Sequence, residues 1–264
     1  MSQRSSARLD EAVAARAGVT RSRARSLIIA GRVRVDGRPS TKPGTAVTAS
    51  ALLEIERPRP YVGRGGEKLE AALAAFELDV RGVHALDVGA STGGFTDCLL
   101  AHGACDVVAL DVGYGQLALS LRNDPRVIVR ERVNFRLLPD DAFERPFDVI
   151  TIDASFISVL TLVARARAFL TECGAIVALV KPQFEAGRDR LSTGGVVREP
   201  AVHRAILEEV RAGIVALEVT PVAVVRSPLR GPAGNVEFFM LVRRNGVAFG
   251  SAELARALEG QSDA

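Results

Sequence analysis

The stretch that decides the fold is Ala85-Leu-Asp-Val-Gly-Ala-Ser-Thr-Gly-Gly-Phe-Thr-Asp97. An apolar segment ends at Val88, and glycines follow at positions 89, 93 and 94, directly before a helical pattern. Glycines at such a turn let the backbone approach a ligand closely, and the start of the next helix offers free N–H groups. The stretch therefore predicts a strand, a ligand-binding loop and a helix. A tight turn that binds no ligand is the alternative interpretation.

The spacing of these glycines separates two kinds of nucleotide site. A dinucleotide fingerprint needs Gly-x-Gly-x-x-Gly, but Ser91 occupies its second glycine position. The pattern here is Asp-x-Gly-x-x-x-Gly-Gly, which resembles motif I of class I S-adenosylmethionine methyltransferases. The resemblance implies S-adenosylmethionine as cofactor, with an acid at the end of the second strand holding its ribose hydroxyls. The residues then expected to bind the cofactor are Asp87, Gly89, Ala90, Ser91, Thr92, Gly93, Gly94, Phe95, Asp111 and Tyr114.

Strand and helix signals alternate on both sides of this loop. Strands are predicted at 83–88, 106–110, 127–129, 147–152, 175–180, 219–225 and 236–242, and helices near 67–76, 95–102, 116–122, 157–170 and 200–213. Repeated strand–helix units predict an α/β fold of the Rossmann-like class I methyltransferase type, with a seven-stranded, mostly parallel sheet and helices on both faces. No helix separates the last two strands, so we expect them to form an antiparallel pair at one edge.

The N-terminal region has a different charge and a different pattern. Residues 1–64 contain 13 Lys and Arg against 5 Asp and Glu, whereas the other 200 residues contain 21 against 26. Such an asymmetry indicates a basic segment that meets nucleic acid or an anionic membrane. The local pattern predicts a helix over 8–17 that stops at Gly18, a second helix over 21–30 capped by Thr20, and short strands joined by a turn at Asp36-Gly37.

The stretch Thr20-Arg-Ser-Arg-Ala-Arg-Ser-Leu-Ile-Ile-Ala-Gly-Arg-Val-Arg-Val-Asp-Gly-Arg-Pro39 strongly resembles the S-four-type RNA-binding domain. In that family the basic helix and the following turn lie against RNA phosphates, which supplies affinity but little sequence readout. A solvated basic face is the alternative. We expect a small α/β RNA-binding domain over 1–56, a proline-rich linker over 57–64 and the Rossmann-like domain over 65–264. The expected RNA-binding residues are Arg8, Arg21, Arg23, Arg25, Arg32 and Arg34.

Lysine is rare in this chain, and its positions are informative. The chain has three lysines, Lys42, Lys68 and Lys181, against 31 arginines. Arginine can serve wherever positive charge suffices, whereas lysine is a compact donor whose protonation responds to its surroundings. Lys181, Asp153 and Glu237 all lie at or near ends of predicted strands, where open α/β sheets bind their ligands. Each residue alone is as readily explained by a surface ion pair.

Taken with Lys68, these residues give Lys, Asp, Lys and Glu in chain order, which resembles the catalytic tetrad of the FtsJ-like ribose 2′-O-methyltransferases. The resemblance implies that Lys181 donates to the ribose 2′-oxygen and that Asp153 orients this lysine or relays the proton. Lys68 and Glu237 would steer the ribose and keep Lys181 in place. Asp153 is followed by Ala-Ser-Phe, which differs from the Pro-Pro-aromatic run used on exocyclic amines.

The resemblance extends over nearly the whole chain to the TlyA family of ribosomal RNA 2′-O-methyltransferases, whose members are also named hemolysins. It is carried by Gly63-Arg-Gly-x-x-Lys-Leu69, by the motif I loop and by three further motifs, which are Asp111-Val-Gly-Tyr-Gly-Gln-Leu117, Leu179-Val-Lys-Pro-Gln-Phe-Glu185 and Gly234-Asn-Val-Glu-Phe-Phe239. It implies methylation of cytidine ribose in 23S rRNA of the 50S subunit, in longer members 16S rRNA of the 30S subunit as well, and an effect on capreomycin and viomycin sensitivity. Tyr61 replaces a tryptophan that family linkers often carry.

Two functions of other classes remain open alternatives. A membrane-active hemolysin should show a signal peptide, a long apolar span or a strongly amphipathic membrane helix, and the sequence shows none. A ribosome-assembly factor that binds RNA without catalysis would not need the tetrad. The three cysteines are odd in number and show neither metal-like nor redox spacing, so we expect no metal and a reducing, cytoplasmic location. We also expect the chain to act as a monomer.

Phe156, Phe184 and the three histidines lie outside the tetrad and the cofactor loop. Phe156 and Phe184 can stack on a nucleotide that is flipped out of its helix, although core packing is the more common use of such residues. His84 is expected to pack in a strand, and His102 and His203 are expected on exposed helix positions. None of the histidines is assigned a function.

Overall fold

The computed structural model describes residues 6–56, 60–187, 190–192 and 194–259. The chain divides into two compact units, one over residues 1–59 and one over residues 60–264. Residues 57–59 of the predicted linker lie outside the described residues. Residues 60–64, also predicted as linker, belong to the second unit, where Tyr61 is buried and Arg64 begins a helix.

The N-terminal unit packs two helices against short strands. Its elements are β1 (Ser6–Arg8), α1 (Leu9–Ala17), α2 (Arg21–Ile29), β2 (Val33–Val35), β3 (Arg38–Pro39), β4 (Ala46–Thr48) and β5 (Leu53–Ile55). β1 pairs with β4, and β2 lies between β3 and β5, all antiparallel. The small core contains Leu9, Val13, Leu27, Ile28 and Val33.

The local signals in this unit act as predicted. Gly18 ends α1 in the left-handed region with φ of 65°. The hydroxyl of Thr20 accepts a hydrogen bond from the Arg23 N–H and so caps α2. Asp36 and Gly37 have φ of 51° and 77°, the two consecutive positive angles that a tight hairpin turn requires. β1 was not predicted, because three residues carry no alternation and its pairing with β4 is non-local.

The second unit carries the predicted α/β fold. Its elements are α3 (Arg64–Ala75), β6 (His84–Val88), α4 (Gly94–Ala101), β7 (Asp106–Leu110), α5 (Leu119–Arg122), β8 (Val127–Arg130), β9 (Phe147–Ile152), α6 (Val159–Ala166), β10 (Leu170–Val180), α7 (Pro182–Glu185), α8 (Pro200–Ala216), β11 (Thr220–Arg226), β12 (Phe238–Arg243) and α9 (Ser251–Glu259). All seven predicted strands are present, and helices α7 and α9 are additional to those predicted.

The seven strands form one sheet in the order β11-β12-β10-β9-β6-β7-β8. Strands β10, β9, β6, β7 and β8 are parallel, whereas β12 runs antiparallel to both of its neighbours, β10 and β11. The predicted antiparallel pair is therefore confirmed, and β12 is inserted between β10 and the edge strand β11. Because β12 runs in the opposite direction, its first residue lies at the same end of the sheet as the carboxyl ends of the parallel strands. This end is called the carboxyl edge below.

Two apolar layers cover the sheet, as expected for strands buried on both faces. Leu86 and Val88 of β6 belong to the layer that includes residues of α6, α8 and α9. Ala85, the residue before Leu86, belongs to the other layer, together with residues of α3, α4 and α5. His84 packs in the strand as predicted, stacked on Phe147. His203 is buried, contrary to the prediction, because α8 turns it onto Phe238 of β12.

Candidate active site and nucleic-acid surface

The first turns of α3 and α4 pack closely against each other at glycine residues. A Cβ at Gly94, the first residue of α4, would lie 2.9 Å from the backbone nitrogen of Gly66 in α3. A Cβ at Gly66 would lie 2.3 Å from the ring of Tyr61, which is buried on this helix. Because both positions lack side chains, α3 can seat closely on α4. This contact fixes the turn of α3 from which Lys68 projects.

The structure arranges the predicted tetrad as two ion pairs. Lys68 Nζ lies 2.6 Å from Glu237 Oε2, and Lys181 Nζ lies 2.6 Å from Asp153 Oδ1. The strand register explains why Asp153, Lys181 and Glu237 all lie at the carboxyl edge of the sheet. Asp153 and Lys181 directly follow the parallel strands β9 and β10, and Glu237 directly precedes β12, whose first residue pairs with the last residue of β10.

The two pairs differ in exposure and in neighbours. The Lys68 and Glu237 side chains are 9% and 1% exposed, so this pair is enclosed by protein. The Asp153 side chain is 24% exposed, and Lys181 also donates to Ser155 Oγ at 3.2 Å. An ammonium group carries three N–H bonds. With two directed at Asp153 and Ser155, one N–H of Lys181 remains available for a substrate oxygen.

The motif I loop is packed directly against the backbone of Asp153. Gly89 has φ of 86°, and a Cβ at this position would lie 2.4 Å from the carbonyl oxygen of Asp153. The Asp153 N–H in turn donates to the Val88 carbonyl at 2.9 Å. Gly89 is therefore required both by its backbone angle and by this close approach. The contact ties the geometry of the loop to that of the Lys181–Asp153 pair.

A cavity of about 490 Å³ lies in front of the loop. Gly89, Ser91 and Asp111 of the predicted cofactor residues line it. The Asp111 carboxylate accepts hydrogen bonds from the Ser91 N–H at 2.8 Å and from the Gly113 N–H at 2.6 Å. These bonds fix the carboxylate, and its remaining lone pairs can still accept hydroxyl groups.

The other seven predicted cofactor residues do not line this cavity. They are Asp87, Ala90, Thr92, Gly93, Gly94, Phe95 and Tyr114. Asp87 is fully buried and accepts hydrogen bonds from the Thr96 N–H, the Thr96 hydroxyl and the Thr151 hydroxyl, at 3.0, 2.7 and 3.0 Å. Burial raises the pKa of Asp87 to about 6, against the opposing effect of these bonds. Asp87 thus secures the start of α4 to the sheet behind the loop.

Phe95 and Tyr114 also serve other contacts. Phe95 is buried with its ring centroid 5.9 Å from that of Phe239. Tyr114 is 67% exposed, with the Arg132 guanidinium 4.1 Å from its ring centroid. Sequence reasoning missed a further set of cavity residues, whose shared signal is that they follow the ends of β7, β8 and β9. This set contains Val112, Val133, Asn134, Phe135, Arg136, Ala154 and Ile157. Gln116, which the sequence allows either in an adenosine pocket or in packing at a helix start, also lines the cavity.

Glu185 holds the segment that follows Asp153. Its carboxylate accepts hydrogen bonds from the Ser158 hydroxyl and from the Val159 N–H, both at 2.7 Å, at the start of α6. Burial raises the pKa of Glu185. Within the segment, Phe156 has φ of 64° and is 91% exposed, with its ring centroid 5.0 Å from that of Phe184. Core packing, the more common use expected for such a residue, is therefore wrong for Phe156.

The predicted RNA-binding arginines all lie on the surface of the N-terminal unit. They are Arg8, Arg21, Arg23, Arg25, Arg32 and Arg34. Arg8, Arg21 and Arg25 surround the buried carboxylate of Asp10, at 3.1, 3.2 and 3.7 Å. The hydrogen bond from Arg8 lowers the pKa of Asp10 to about 2. A single buried acid thus gathers three cations at one place on this surface.

Two family models match the chain. The FtsJ-like methyltransferase model matches residues 61–244, and the S4 domain model matches residues 7–53. The described residues include no helix that is long and apolar enough to cross a membrane, and no group of three or more His, Cys, Asp or Glu side chains among them is placed to hold a metal ion.

Individual relatives agree with both models. The chain is 47% identical to the 16S/23S rRNA (cytidine-2′-O)-methyltransferase TlyA of Mycobacterium tuberculosis, over 86% of this chain and 87% of the relative. It is 40% identical to hemolysin A of Brachyspira hyodysenteriae, over 88% and 97% of the two chains. A solved structure of a hemolysin-named protein from Streptococcus thermophilus aligns with a TM-score of 0.72 and 37% identity, over 96% of each chain. The chain therefore belongs to the TlyA family of FtsJ-like methyltransferases that carry an S4 domain.

Proposed function

We propose that this protein transfers the methyl group of S-adenosylmethionine to the ribose 2′-hydroxyl of a cytidine in ribosomal RNA. The observation that carries the proposal is the Lys181 ammonium, held by Asp153 and Ser155 at the sheet edge beside a cavity that contains the Asp111 carboxylate. The name of the M. tuberculosis relative supports cytidine as the nucleotide and both ribosomal subunits as substrates. We propose 23S rRNA in the 50S subunit as the first substrate, 16S rRNA in the 30S subunit as a second, and a monomer as the acting form.

The cavity fits the proposed cofactor. A volume of about 490 Å³ is in the range of pockets that enclose a ligand of this size. Asp111 would accept the two ribose hydroxyls of the cofactor, and Gly89 and Ser91 would let the loop backbone lie against it. When bound, S-adenosylmethionine supplies an electrophilic methyl group on a sulfonium. Asp87, Phe95 and the remaining loop residues would act indirectly, by keeping the loop in shape.

A ribose hydroxyl is a poor nucleophile, so the protein must align it and stabilise the charge that develops on its oxygen. The hydroxyl proton must leave as the 2′-oxygen takes the methyl group. The third N–H of Lys181 would donate to this oxygen, and Asp153, which is partly exposed, would keep the ammonium pointed there or relay the departing proton to solvent. A donor that is already fixed loses little entropy when the reaction occurs. The buried Lys68–Glu237 pair would hold the neighbouring part of the edge in place and steer the ribose.

The target nucleotide must leave its helix to reach this edge, because the 2′-oxygen has to approach both the cofactor and Lys181. Phe156 lines the cavity and is 91% exposed, in a backbone conformation that non-glycine residues seldom adopt. An exposed aromatic ring in this position would stack on the flipped base. On the N-terminal unit, the six surface arginines would contact rRNA phosphates.

The test is tritium transfer from methyl-labelled S-adenosylmethionine to purified 50S subunits, 30S subunits and free rRNA, followed by mapping of 2′-O-methylated positions. We expect labelled cytidine with the unaltered protein. With Asp153→Asn we expect the rate of methyl transfer to fall by about 10²-fold or more. Asp79→Asn, in the exposed loop between α3 and β6, is the matched control and should be fully active. No transfer to any of the three substrates would refute the proposal.

The same preparations separate the alternatives. Subunit binding without methyl transfer would indicate a ribosome-assembly factor. Release of haemoglobin from erythrocytes by both the unaltered protein and Asp153→Asn, without methyl transfer, would indicate a membrane-active protein like the one that the B. hyodysenteriae name describes.

A further inference from the structure

Two short segments leave the carboxyl edge of the sheet next to each other. One runs from Asp153 into α6, and the other runs from Lys181 through α7. The ion pair between Lys181 and Asp153 joins their first residues, and Lys181 also donates to Ser155 Oγ at 3.2 Å. Further along, the ring centroids of Phe156 and Phe184 are 5.0 Å apart. The two segments therefore contact each other at successive positions.

The last contact between the two segments is made by Glu185, the final residue of α7. Its two carboxylate oxygens accept hydrogen bonds from the Ser158 hydroxyl and the Val159 N–H, each at 2.7 Å. Ser158 is the N-cap of α6, and its Oγ also accepts a hydrogen bond from the Leu160 N–H at 3.2 Å. Because Glu185 bonds both the cap and the first residue of α6, it fixes where this helix begins.

Residues 154–157 form a span that is held at both ends. At one end, the Asp153 N–H donates to the Val88 carbonyl at 2.9 Å, and at the other end Glu185 holds the start of α6. Between these ends, Phe156 has φ of 64°, a value that non-glycine residues seldom adopt. A backbone angle of this kind persists only where the surrounding contacts impose it. We therefore expect the conformation of the 154–157 span to depend on Glu185.

We propose that Glu185 is a positioning residue for methyl transfer, acting through the 154–157 span. By holding the start of α6, it keeps Ser155 against Lys181 and keeps Phe156 exposed at the cavity proposed for the cofactor. Glu185 itself is not among the described residues that line this cavity, so its effect reaches the reaction only through the span. The inference rests on the proposed function, because Lys181 and Phe156 have their roles there.

Two substitutions separate the hydrogen bonds of Glu185 from its size. Glu185→Met has a side chain of similar length but no strong acceptor, and Ile157 and Leu162, which line a small cavity of about 10 Å³ together with Glu185, give it apolar neighbours. Glu185→Gln is neutral, but its amide can accept from the Val159 N–H and donate to the Ser158 hydroxyl. The first variant therefore removes both bonds, and the second restores them without the charge.

The assay is single-turnover methyl transfer to 50S subunits by the full chain, at saturating S-adenosylmethionine and at a temperature where every variant is folded. We expect Glu185→Met to slow transfer by about 10- to 10²-fold, because a displaced span misaligns Ser155 and Phe156. Glu185→Gln should recover most of the rate, to within about threefold of the unaltered protein. A Glu185→Met protein that is folded and transfers methyl groups at the unaltered rate would overturn the proposal.

Asp148 provides a matched control near the start of β9. Its carboxylate, like that of Glu185, accepts one backbone N–H and one hydroxyl, from His84 at 3.0 Å and from Thr171 at 3.4 Å. Asp148→Leu removes both bonds, so it should lower the midpoint of urea unfolding as Glu185→Met does, yet leave the transfer rate unchanged. If the two variants slow transfer equally, Glu185 contributes only to stability and the proposal is wrong.

A double variant shows whether Glu185 acts through the span. Phe156→Ala removes the exposed ring, and we combine it with Glu185→Met. The combined variant should be at least about threefold faster than the product of the two single losses predicts, because both changes disturb the same span. Losses that simply multiply would mean that Glu185 and Phe156 act independently, contrary to the proposal.

Hydrogen exchange of the peptide that contains residues 154–159 gives a readout that does not need methyl transfer. We expect faster exchange in Glu185→Met than in Glu185→Gln or Asp148→Leu. If the unaltered protein methylates no substrate but the variants show this pattern, the proposed function fails, while the hold of Glu185 on the span is supported. If the protein methylates subunits and Glu185→Met changes neither exchange nor rate, the positioning role fails and the function stands.

Discussion

Replacing Lys181 with arginine tests the proposed chemistry most directly. The charge is kept, but the lysine nitrogen lies 2.6 Å from Asp153 and 3.2 Å from Ser155 in a side chain that is 11% exposed. A guanidinium is planar and larger, so it can keep the ion pair but cannot place a single compact donor at the same point. We expect single-turnover methyl transfer to slow by about 10²- to 10³-fold, or about 3–4 kcal/mol, the effect of losing one preorganised donor.

The other two lysines supply graded controls. Lys42→Arg, on the exposed surface of the N-terminal unit, should have no measurable effect. Lys68→Arg should be intermediate, because a positioning pair tolerates a longer cation better than a donor to the reacting oxygen does. Calorimetry should show unchanged cofactor affinity for all three variants. A Lys181→Arg protein that transfers methyl groups within a few-fold of the unaltered rate would show that this lysine is only a counter-charge.

Four further predictions concern stability and geometry. Lys68→Met should lower the free energy of unfolding by about 3–5 kcal/mol in urea, because it leaves Glu237 charged and buried, and the double variant with Glu237→Leu should regain most of that stability without activity. Because the pKa of Asp87 is raised to about 6 in the folded state, ionisation of this carboxyl opposes folding. The free energy of unfolding should therefore fall by up to about 3 kcal/mol as pH rises from about 4 to 7. Asp87→Asn should lack this pH dependence. Gly89→Ala should slow methyl transfer by about 10²-fold, because its Cβ would displace the Asp153 backbone, and a crystal structure of the variant would show that shift. Asp10→Asn should weaken subunit binding and lower the urea midpoint of the N-terminal unit, whereas unchanged binding would show that Asp10 does not organise the arginines.

Much of the architecture follows from local patterns. Alternating strand and helix signals identified all seven strands of the sheet, and the absence of a helix between the last two strands predicted their antiparallel pairing. Capping and turn signals such as Thr20 and Asp36-Gly37 acted as predicted because they depend on interactions within a few residues. Helix α9 was missed although its sequence is amphipathic, since nine residues with two buried positions give a short signal.

The candidate site was predictable only in part. The sequence could place Asp153, Lys181 and Glu237 at strand ends, because carboxyl ends of parallel strands meet at one edge. It could not show that Asp87 faces the interior, since a loop motif does not reveal on which side of its backbone the ligand lies. Nor could it show that Phe156 is exposed, because Phe156 has a left-handed backbone, and Ser158 and Val159 just after it bond to Glu185, a residue that approaches only after folding.

The sequence by itself determined the order and type of the elements, the charge difference between the two units and the motifs that carry the family resemblance. These properties depend on residues close together in the chain. The tertiary structure alone decided the pairing of Lys68 with Glu237, 169 residues apart, the seating of α3 on α4 through Gly66 and Gly94, and the burial of His203 beside three arginines. Each of these depends on distances of a few ångströms between segments that are far apart in sequence. Such distances are set only when the strands have paired in their final register and the helices have packed on the sheet.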